Sequence, residues 1–224
     1  MVETSWNGDN APDEGARNSY LEQLRMKIVS GQIGPDELLT VPTLAKAWGM
    51  STTPVREILL ELANDGLLEA RRNRGFMVKR LTVTDLRQLF AIRAQLECYA
   101  LSCITNMREE DRIPLMQKAQ AIEQAVEDGD TLRYLETDRA YHLHLISLAG
   151  NQHLVKMIMN LRDNMRLYGI ESVAGLERQQ LSVPQHYQLV ELLAASKTDE
   201  AMTLMRRHVL DWEPIFVEGI AALG

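Results

Sequence analysis

The side chains in this sequence best suited to chemistry are an aspartate and three histidines that fall on apolar helical faces. In the stretch DRAYH, Asp138 and His142 stand one helical turn apart, in line with Leu135 and Leu145. An unpaired ionised carboxylate on such a face would be strongly destabilising, so we expect a partner for Asp138. His144 is only two positions from His142 and therefore points to another side of the helix.

The same pattern recurs twice further along the chain, because His186 and His208 each lie on the apolar stripe of a separate helical segment. One carboxylate and three imidazoles suit Zn²⁺, Ni²⁺, Mn²⁺ or Fe²⁺, and facing helices can complete a site begun by two residues of one helix. The residue types also allow an alternative, a hydrogen-bonded Asp138–His142 pair and two unrelated core histidines. His153 begins a helical segment, where a capping or surface role is expected.

Helices must position these side chains, and the region after residue 81 supplies them. Glycine and proline are scarce there, and helical periodicity predicts six helices near residues 82–106, 109–128, 131–150, 151–171, 175–196 and 198–218. The predicted fold class is therefore mainly α, with an all-α six-helix bundle behind a smaller N-terminal unit.

That N-terminal unit has the pattern of a winged helix-turn-helix. Three short helical segments, SYLEQLRMKIVSG, VPTLAKAWG and STTPVREILLELANDG, precede two strand-like runs, LLEAR and GFMVKR, around the basic turn RNRG. Residues 1–17 are polar and acidic, which predicts a disordered leader. The predicted division is thus a leader at 1–17, a winged helix-turn-helix domain expected to bind DNA at 18–80 and an all-α domain at 81–224.

Charge and composition narrow the class of protein. The net charge of -7 argues against nucleic acid as a partner, but residues 18–80 carry nine basic and seven acidic side chains, and five of the nine basic ones lie in residues 71–80. No apolar stretch is long enough for a membrane span and the start lacks a signal peptide, which predicts a cytoplasmic protein with no membrane partner. Cys98 and Cys103 are too few and too closely spaced for a disulfide framework or a zinc knuckle, so we expect buried thiols.

The third helical segment carries the groups expected to face DNA. Its start, STTPVRE, places three hydroxyls at a positive helix end, sets the first turn with proline and adds one long cation able to reach a guanine edge. The hairpin tip RRNRG offers three arginines for phosphates or a narrow minor groove and a glycine that permits close approach. The predicted DNA-binding residues are Ser51, Thr52, Thr53, Pro54, Arg56, Arg71, Arg72, Arg74 and Gly75.

This N-terminal unit resembles a known family. The segment LRMKIVSGQIGPDELLTVPTLAKAWGMSTTPVREILLELANDGLLEARRNRGFMV is similar, without gaps, to the DNA-binding domain of GntR-family bacterial transcription regulators. Asp36 stands where the family usually has glycine, which suggests a slightly different loop, and Thr52 stands where it usually has a DNA-reading arginine. The resemblance implies a homodimer that binds a palindromic double-stranded DNA operator.

The C-terminal region resembles the FCD ligand-sensing domain of FadR-type GntR regulators, of the VanR-like six-helix kind. The segments DRAYHLHLISLAGNQHL, HYQLVELLAAS and AMTLMRRH carry the resemblance, which implies a divalent metal, zinc foremost, on Asp138, His142, His186 and His208. It also implies that residues 81–224 form a sensing and dimerisation domain and that a small organic acid is the effector. The segment AIRAQLE resembles the first sensor helix, so Arg93 is the candidate clamp for the effector carboxylate, with an ordinary salt bridge to Glu97 as the alternative.

Three functions follow from these patterns. The first is a ligand-responsive transcription regulator, a repressor whose sensor binds a metal and a small carboxylate. The second is a DNA-binding regulator in which the metal is purely structural. The third is a metalloenzyme, which we do not expect because no base or nucleophile stands in a recognisable catalytic motif beyond the four ligands.

Overall fold

The computed structural model describes residues 14–165 and 169–222 and confirms a mainly α fold. The N-terminal domain contains α1 (Glu14–Val29), β1 (Leu38–Leu39), α2 (Val41–Trp48), α3 (Thr52–Asn64), β2 (Leu68–Arg71) and β3 (Gly75–Val78). The C-terminal domain contains α4 (Val83–Ser102), α5 (Glu109–Glu127), α6 (Thr131–Ser147), α7 (Gln152–Asn164), α8 (Val173–Ala194), α9 (Thr198–Leu210) and α10 (Glu213–Ala222).

The first helix begins earlier than the sequence indicated. Residues 14–17, which belong to the predicted leader, form the first turn of α1, and Arg17 in this turn pairs with Glu61 of α3 at 2.7 Å. That contact joins residues 44 positions apart and exists only in the folded chain, so local composition did not reveal it. Residues 1–13 of the predicted leader lie outside the described residues.

The N-terminal domain is a winged helix-turn-helix with a three-stranded antiparallel sheet in the order β1-β3-β2. The hairpin of β2 and β3 was predicted, but β1 was not, because a two-residue strand shows no alternation. Gly75 has a φ of 132°, and a Cβ there would lie 2.4 Å from the carbonyl oxygen of Leu39. Glycine is therefore required where the end of β1 lies against the start of β3.

The loop before β1 contains Asp36, which stands in place of the expected glycine. Asp36 has a φ of 67°, in the left-handed region that glycine adopts most easily. Its carboxylate pairs with Arg80 at 2.8 Å, a contact that glycine could not make. The aspartate thus joins this loop to Arg80, two residues beyond the end of β3.

The apolar face of α3 packs into the core of the N-terminal domain. Ile58, Leu59 and Leu62 are completely buried and form one apolar cluster with Leu24 and Ile28 of α1. Because this cluster is built from both α1 and α3, it holds the exposed face of α3 in a fixed orientation.

The C-terminal domain is arranged around α4, which packs against α6, α7, α9 and α10, while α5 packs against α6 and α8. A capping box starts α4. Thr82 Oγ1 accepts a hydrogen bond from the backbone N–H of Asp85, and Asp85 Oδ2 accepts one from the backbone N–H of Thr82, with both donor–acceptor distances 3.1 Å. Both cysteines are free, Cys98 buried and Cys103 half-buried. This packing brings α6, α8 and α9 towards one interior region.

Two predicted helix ends need correction. The helix predicted at 198–218 is divided, because α9 ends at Leu210 and α10 begins at Glu213. Pro214 lacks the amide hydrogen that would bond the carbonyl of Leu210 and continue one helix. The helix predicted at 151–171 ends at Asn164 in α7, and residues 166–168 lie outside the described residues. Within the described ranges, every helix is too short or too polar to cross a bilayer.

Candidate functional site

The four predicted metal ligands meet between three helices of the C-terminal domain. Asp138 and His142 project from α6, His186 from α8 and His208 from α9. One donor atom of each lies within 4.8 Å of the other three, and all four residues are at most 2% exposed. They therefore form one common cluster, so the alternative of one pair and two unrelated core histidines is wrong.

The spacing and chemistry of the donors fit one metal ion. Asp138 Oδ1 lies 3.1 Å from His186 Nε2 and 3.7 Å from His142 Nε2, and His142 Nε2 lies 3.2 Å from His208 Nε2. Nitrogen and oxygen ligands about 2.0–2.2 Å from one ion are roughly 3 Å apart. Three ring nitrogens and one carboxylate oxygen are thus close to the separations that a divalent ion of the zinc type requires.

A neighbouring amide fixes the ring of His208 in the form that binds metal. Gln185 Oε1 accepts a hydrogen bond from Arg178 Nη2 at 2.8 Å and lies 2.8 Å from His208 Nδ1. Because Oε1 can only accept, Nδ1 of His208 must donate to it. Nε2 then carries the lone pair and faces the cluster, as a metal-binding histidine does when its other nitrogen donates to a supporting residue.

His142 and His208 of the cluster are neutral at neutral pH, which is the form that a metal binds. Burial, with the nearby charge of Arg162, lowers the pKa of His142 to about 3. Burial and the proximity of the other two histidines hold the pKa of His208 well below its ordinary value. The second ring nitrogen of His142, Nδ1, lies 3.4 Å from Glu97 Oε2, while Nε2 lies 3.7 Å from Asp138 Oδ1.

Buried ion pairs surround the cluster. Arg162 donates from Nη2 to Asp138 Oδ2 at 2.7 Å and from Nη1 to Glu97 Oε1 at 2.9 Å, and Arg93 Nε donates to the same Glu97 oxygen at 2.6 Å. Burial alone would raise the pKa of Glu97, but Arg162 and Arg93 outweigh it and hold that pKa well below the ordinary value. The carboxylate of Glu97 is therefore ionised and joins both guanidinium groups.

Arg93, the predicted effector clamp, borders the Asp138–histidine cluster. With Asp138, Arg162 and His208 it lines a cavity of about 20 Å³, the room that one water molecule needs. The alternative role of Arg93 is also present, since the salt bridge to Glu97 is formed. Arg93 therefore both forms an ion pair with Glu97 and lines the cavity.

Three residues next to the cluster were not predicted from the sequence, namely Arg162, Arg178 and Gln185. Arg162 follows Val155 and Ile158 on the buried stripe of α7. A charged residue on an apolar helix face is a signal in the sequence from which Arg162 could have been predicted. Among the described residues, Nε of Arg162 and both Nε and Nη1 of Arg178 are buried without an acceptor. Gln185 has no comparable signal in the sequence.

The start of α3 presents most of its predicted DNA-binding residues to solvent. Ser51, Thr52, Thr53 and Arg56 are exposed, and Ser51 is the N-cap without a capping bond from its side chain to the described backbone. Pro54 is buried, so its assignment as a DNA-contact residue needs correction. It supports the first turn of α3 from inside the domain.

The wing presents Arg71, Arg72 and Arg74 to solvent. Arg71 pairs with Glu69, whereas Arg72 and Arg74 make no ion pair with any residue that the structure describes. Gly75 is half-buried below β1, so its role is in the packing of the wing. Contact of these arginines with DNA remains a prediction.

Comparison with known families decides the class of the protein. Residues 18–78 match the model of bacterial regulatory proteins of the gntR family, and residues 88–211, more than half of the chain, match the FCD domain. The chain belongs to the GntR family and carries an FCD domain. This GntR-family protein is therefore a DNA-binding transcription regulator of the FadR-like subfamily, and the metalloenzyme alternative is wrong.

Individual regulators resemble this GntR-family chain along most of its length. It is 26% identical over 193 residues to the uncharacterized HTH-type transcriptional regulator YdhC of Bacillus subtilis, which covers 85% of this chain and 84% of that protein. It is 26% identical over 212 residues to the HTH-type transcriptional repressor GlaR of Escherichia coli, which covers 88% and 94%. The structure of E. coli McbR/YncC has a TM-score of 0.82 at 22% identity and covers 91% of this chain and 97% of the other, which supports the fold.

Proposed function

We propose that this regulator is a repressor whose FCD domain binds a divalent metal, expected to be zinc, together with a small organic acid. The observation that carries the proposal is the buried cluster of Asp138, His142, His186 and His208. When bound, the ion would supply a Lewis-acidic position for a carboxylate oxygen. Repression is supported by the names of relatives, since GlaR and RspR of Escherichia coli are both transcriptional repressors.

An anionic effector is supported by the guanidinium groups beside the cluster. Arg93, Arg162 and Arg178 are all at most 5% exposed, and the N–H groups of Arg162 and Arg178 named above lack acceptors among the described residues. A buried donor without a partner is costly, and a carboxylate can accept two such bonds at once. The effector class that satisfies these donors is therefore a small carboxylate.

Entry of such an acid requires the site to change shape. The cavity of about 20 Å³ beside Arg93 is too small for a carboxylate and its carbon frame. A ligand that binds only a widened cavity shifts the population of the bundle towards that state. This requirement gives the effector a means to alter the protein beyond the cavity itself.

DNA binding follows from the exposed start of α3 and from the wing. In the proposed complex α3 lies in the major groove, with Arg56 at a base edge and the hydroxyls of Thr52 and Thr53 at phosphates. Arg72 and Arg74 of the wing neutralise further phosphates. One chain carries one such reading helix, so two chains related by a two-fold axis would read a palindromic operator.

A structural metal is the second candidate function, and the burial of all four donors favours it. Structural zinc sites are usually closed by four protein ligands, and this cluster supplies four. In that case the ion would stabilise the packing of α6, α8 and α9, and no acid would be sensed.

The test starts with native mass spectrometry of the gently purified chain, where a dimer with one metal per chain and a retained acid is expected. Operator DNA selected from genomic fragments is then titrated with the metal-free and the Zn²⁺-loaded protein, with and without a panel of small organic acids. An acid that weakens DNA binding only in the Zn²⁺-loaded protein supports the sensor. DNA binding that a chelator abolishes and no acid alters supports the structural metal, and protein that binds no divalent ion refutes both.

A further inference from the structure

A second layer of charges lies one residue further along each of the two helices that pair beside the metal cluster. Asp138 of α6 pairs with Arg162 of α7 at 2.7 Å. The next residue of each helix forms a second pair in which α6 supplies the base and α7 the acid, with Arg139 Nε 2.9 Å from Asp163 Oδ1. The first pair faces the cluster. The second pair faces the N-terminal domain, because the other oxygen of Asp163 accepts from Arg25 of α1.

Arg25 joins the metal-site helices to the end of the reading helix. Its Nη1 donates to Asp163 Oδ2 at 3.3 Å and its Nη2 donates to Asp65 Oδ2 at 2.7 Å. Asp65 is the C-cap residue of α3. Because Arg25 is 6% exposed and Asp163 is 1% exposed, solvent and salt screen these contacts much less than they would on the surface.

The last turn of α7 also holds the end of α3 through amides. Asn164 Nδ2 donates to the carbonyl oxygen of Asp65 at 2.7 Å. Asn160 Nδ2 lies 3.4 Å from Asp65 Oδ1, at the limit of a hydrogen bond. The approach is close, since a Cβ added to Gly66 would lie 3.3 Å from Asn164 Oδ1. A displacement of this turn therefore reaches α3 without an intervening flexible loop.

We propose that Arg25, Asp65 and Asp163 form a latch through which occupancy of the metal cluster sets the position of the reading helix α3. The inference rests on the proposed function in that the cluster binds a metal and α3 reads DNA. A cation on Asp138 Oδ1 draws charge from the carboxylate whose other oxygen, Oδ2, accepts from Arg162, and so weakens that ion pair. Since Asp163 follows Arg162 on the same helical turn, a shift of Arg162 moves Asp163 and, through Arg25, the end of α3.

Hydrogen–deuterium exchange of the full chain tests the latch, with chelator-treated protein compared with Zn²⁺-loaded protein. Zn²⁺ should change exchange at residues 61–67, the last residues of α3 and the turn after it, by about fivefold or more in the wild type and by less than about twofold in Arg25→Gln. Arg17→Gln is the matched control, because Arg17 also joins α1 to α3 at 2.7 Å but touches Glu61 within the N-terminal domain. The control should respond as the wild type does.

An equal response to Zn²⁺ in Arg25→Gln and the wild type would overturn the latch, and so would an unchanged segment 61–67 in wild-type protein that has bound Zn²⁺. If Arg25→Gln does not fold, Asp65→Asn replaces it, since this side chain is 17% exposed and only its charge is removed.

The reciprocal measurement separates the latch from the proposed function. Coupling between two sites acts in both directions, so selected operator DNA should change exchange at residues 160–165 of α7 by about fivefold in the wild type and much less in Arg25→Gln. Failure of Zn²⁺ to bind would refute the proposed metal sensor, whereas this DNA-induced change would still support the link from α3 through Arg25 to α7. Absence of the change in DNA-bound wild type would refute the latch alone.

Discussion

Replacing His208 with alanine tests whether the buried cluster is a metal site. The substitution removes one of four donors that lie within 4.8 Å of one another. Loss of a residue that merely supports a ligand costs about 10–100-fold in metal affinity, so we expect roughly 100-fold or more from loss of the ligand itself. At Zn²⁺ near 100 times the wild-type Kd, binding stabilises the folded state by about 2.7 kcal/mol, and a 100-fold weaker site retains about 0.4 kcal/mol.

Differential scanning fluorimetry with and without Zn²⁺ measures this loss. At roughly 2–4 °C per kcal/mol for a chain of this size, the Zn²⁺-induced rise in Tm should be about 5–9 °C smaller in His208→Ala than in the wild type. Comparing each protein with its own chelator-treated form cancels the cavity that alanine leaves. His153→Ala is the control, because His153 is an exposed histidine of α7 outside the cluster. The same Zn²⁺-induced rise in His208→Ala and the wild type would refute the site.

Three further predictions concern DNA binding and pH. Arg56→Ala should weaken binding to the selected operator and relax discrimination at one base pair by about 1–3 kcal/mol in a base-substitution series, and unchanged discrimination would remove Arg56 from the reading surface. Replacing Arg72 and Arg74 with glutamine should reduce the slope of log affinity against log salt by about 0.9 for each phosphate that the wing no longer neutralises; an unaltered slope contradicts a role of the wing in DNA binding. In chelator-treated protein the free energy of unfolding should fall as pH drops from about 6.5 towards 3. In the folded protein the pKa of His142 is lowered to about 3, and the pKa of His208 is also lowered. The unfolded chain therefore takes up protons at a higher pH than the folded chain does, which favours unfolding as the pH falls. Each histidine contributes at most about 1.4 kcal/mol per pH unit, and equal urea stability at about pH 7.5 and about pH 5.5 would contradict this.

Local pattern was sufficient for the fold where one helix face is clearly apolar. The inward face of α3 and the capping box at Thr82 follow from spacing within a few residues, so both were predictable. Local pattern failed where a contact between residues distant in the sequence decides the secondary structure. The strand β1 exists because β3 pairs with it, and the first turn of α1 contacts Glu61 of α3. Pro214 did carry a local signal for the break between α9 and α10, but apolar periodicity across the break concealed it.

The candidate site shows the same division. Periodicity alone places Asp138, His142, His186 and His208 on apolar faces, because a 3.6-residue repeat assigns each side chain to a face of its own helix. Periodicity within one helix carries no information about which faces meet, and residues 138 and 208 come together only through the packing of α6, α8 and α9. That packing decides the separations of 3.1–3.7 Å between donors, the burial that lowers the pKa of His142, and the guanidinium of Arg162 on Asp138.

The identity of the ligand-type residues and the DNA-reading motif were therefore determined by the sequence, since both depend on residue type and short-range spacing. Convergence of the donors, the tautomer of His208 set by Gln185, and the link from Asp163 through Arg25 to α3 were decided by the tertiary structure. The physical reason is that buried charges and ring nitrogens need partners, and those partners lie far away in the chain on other helices.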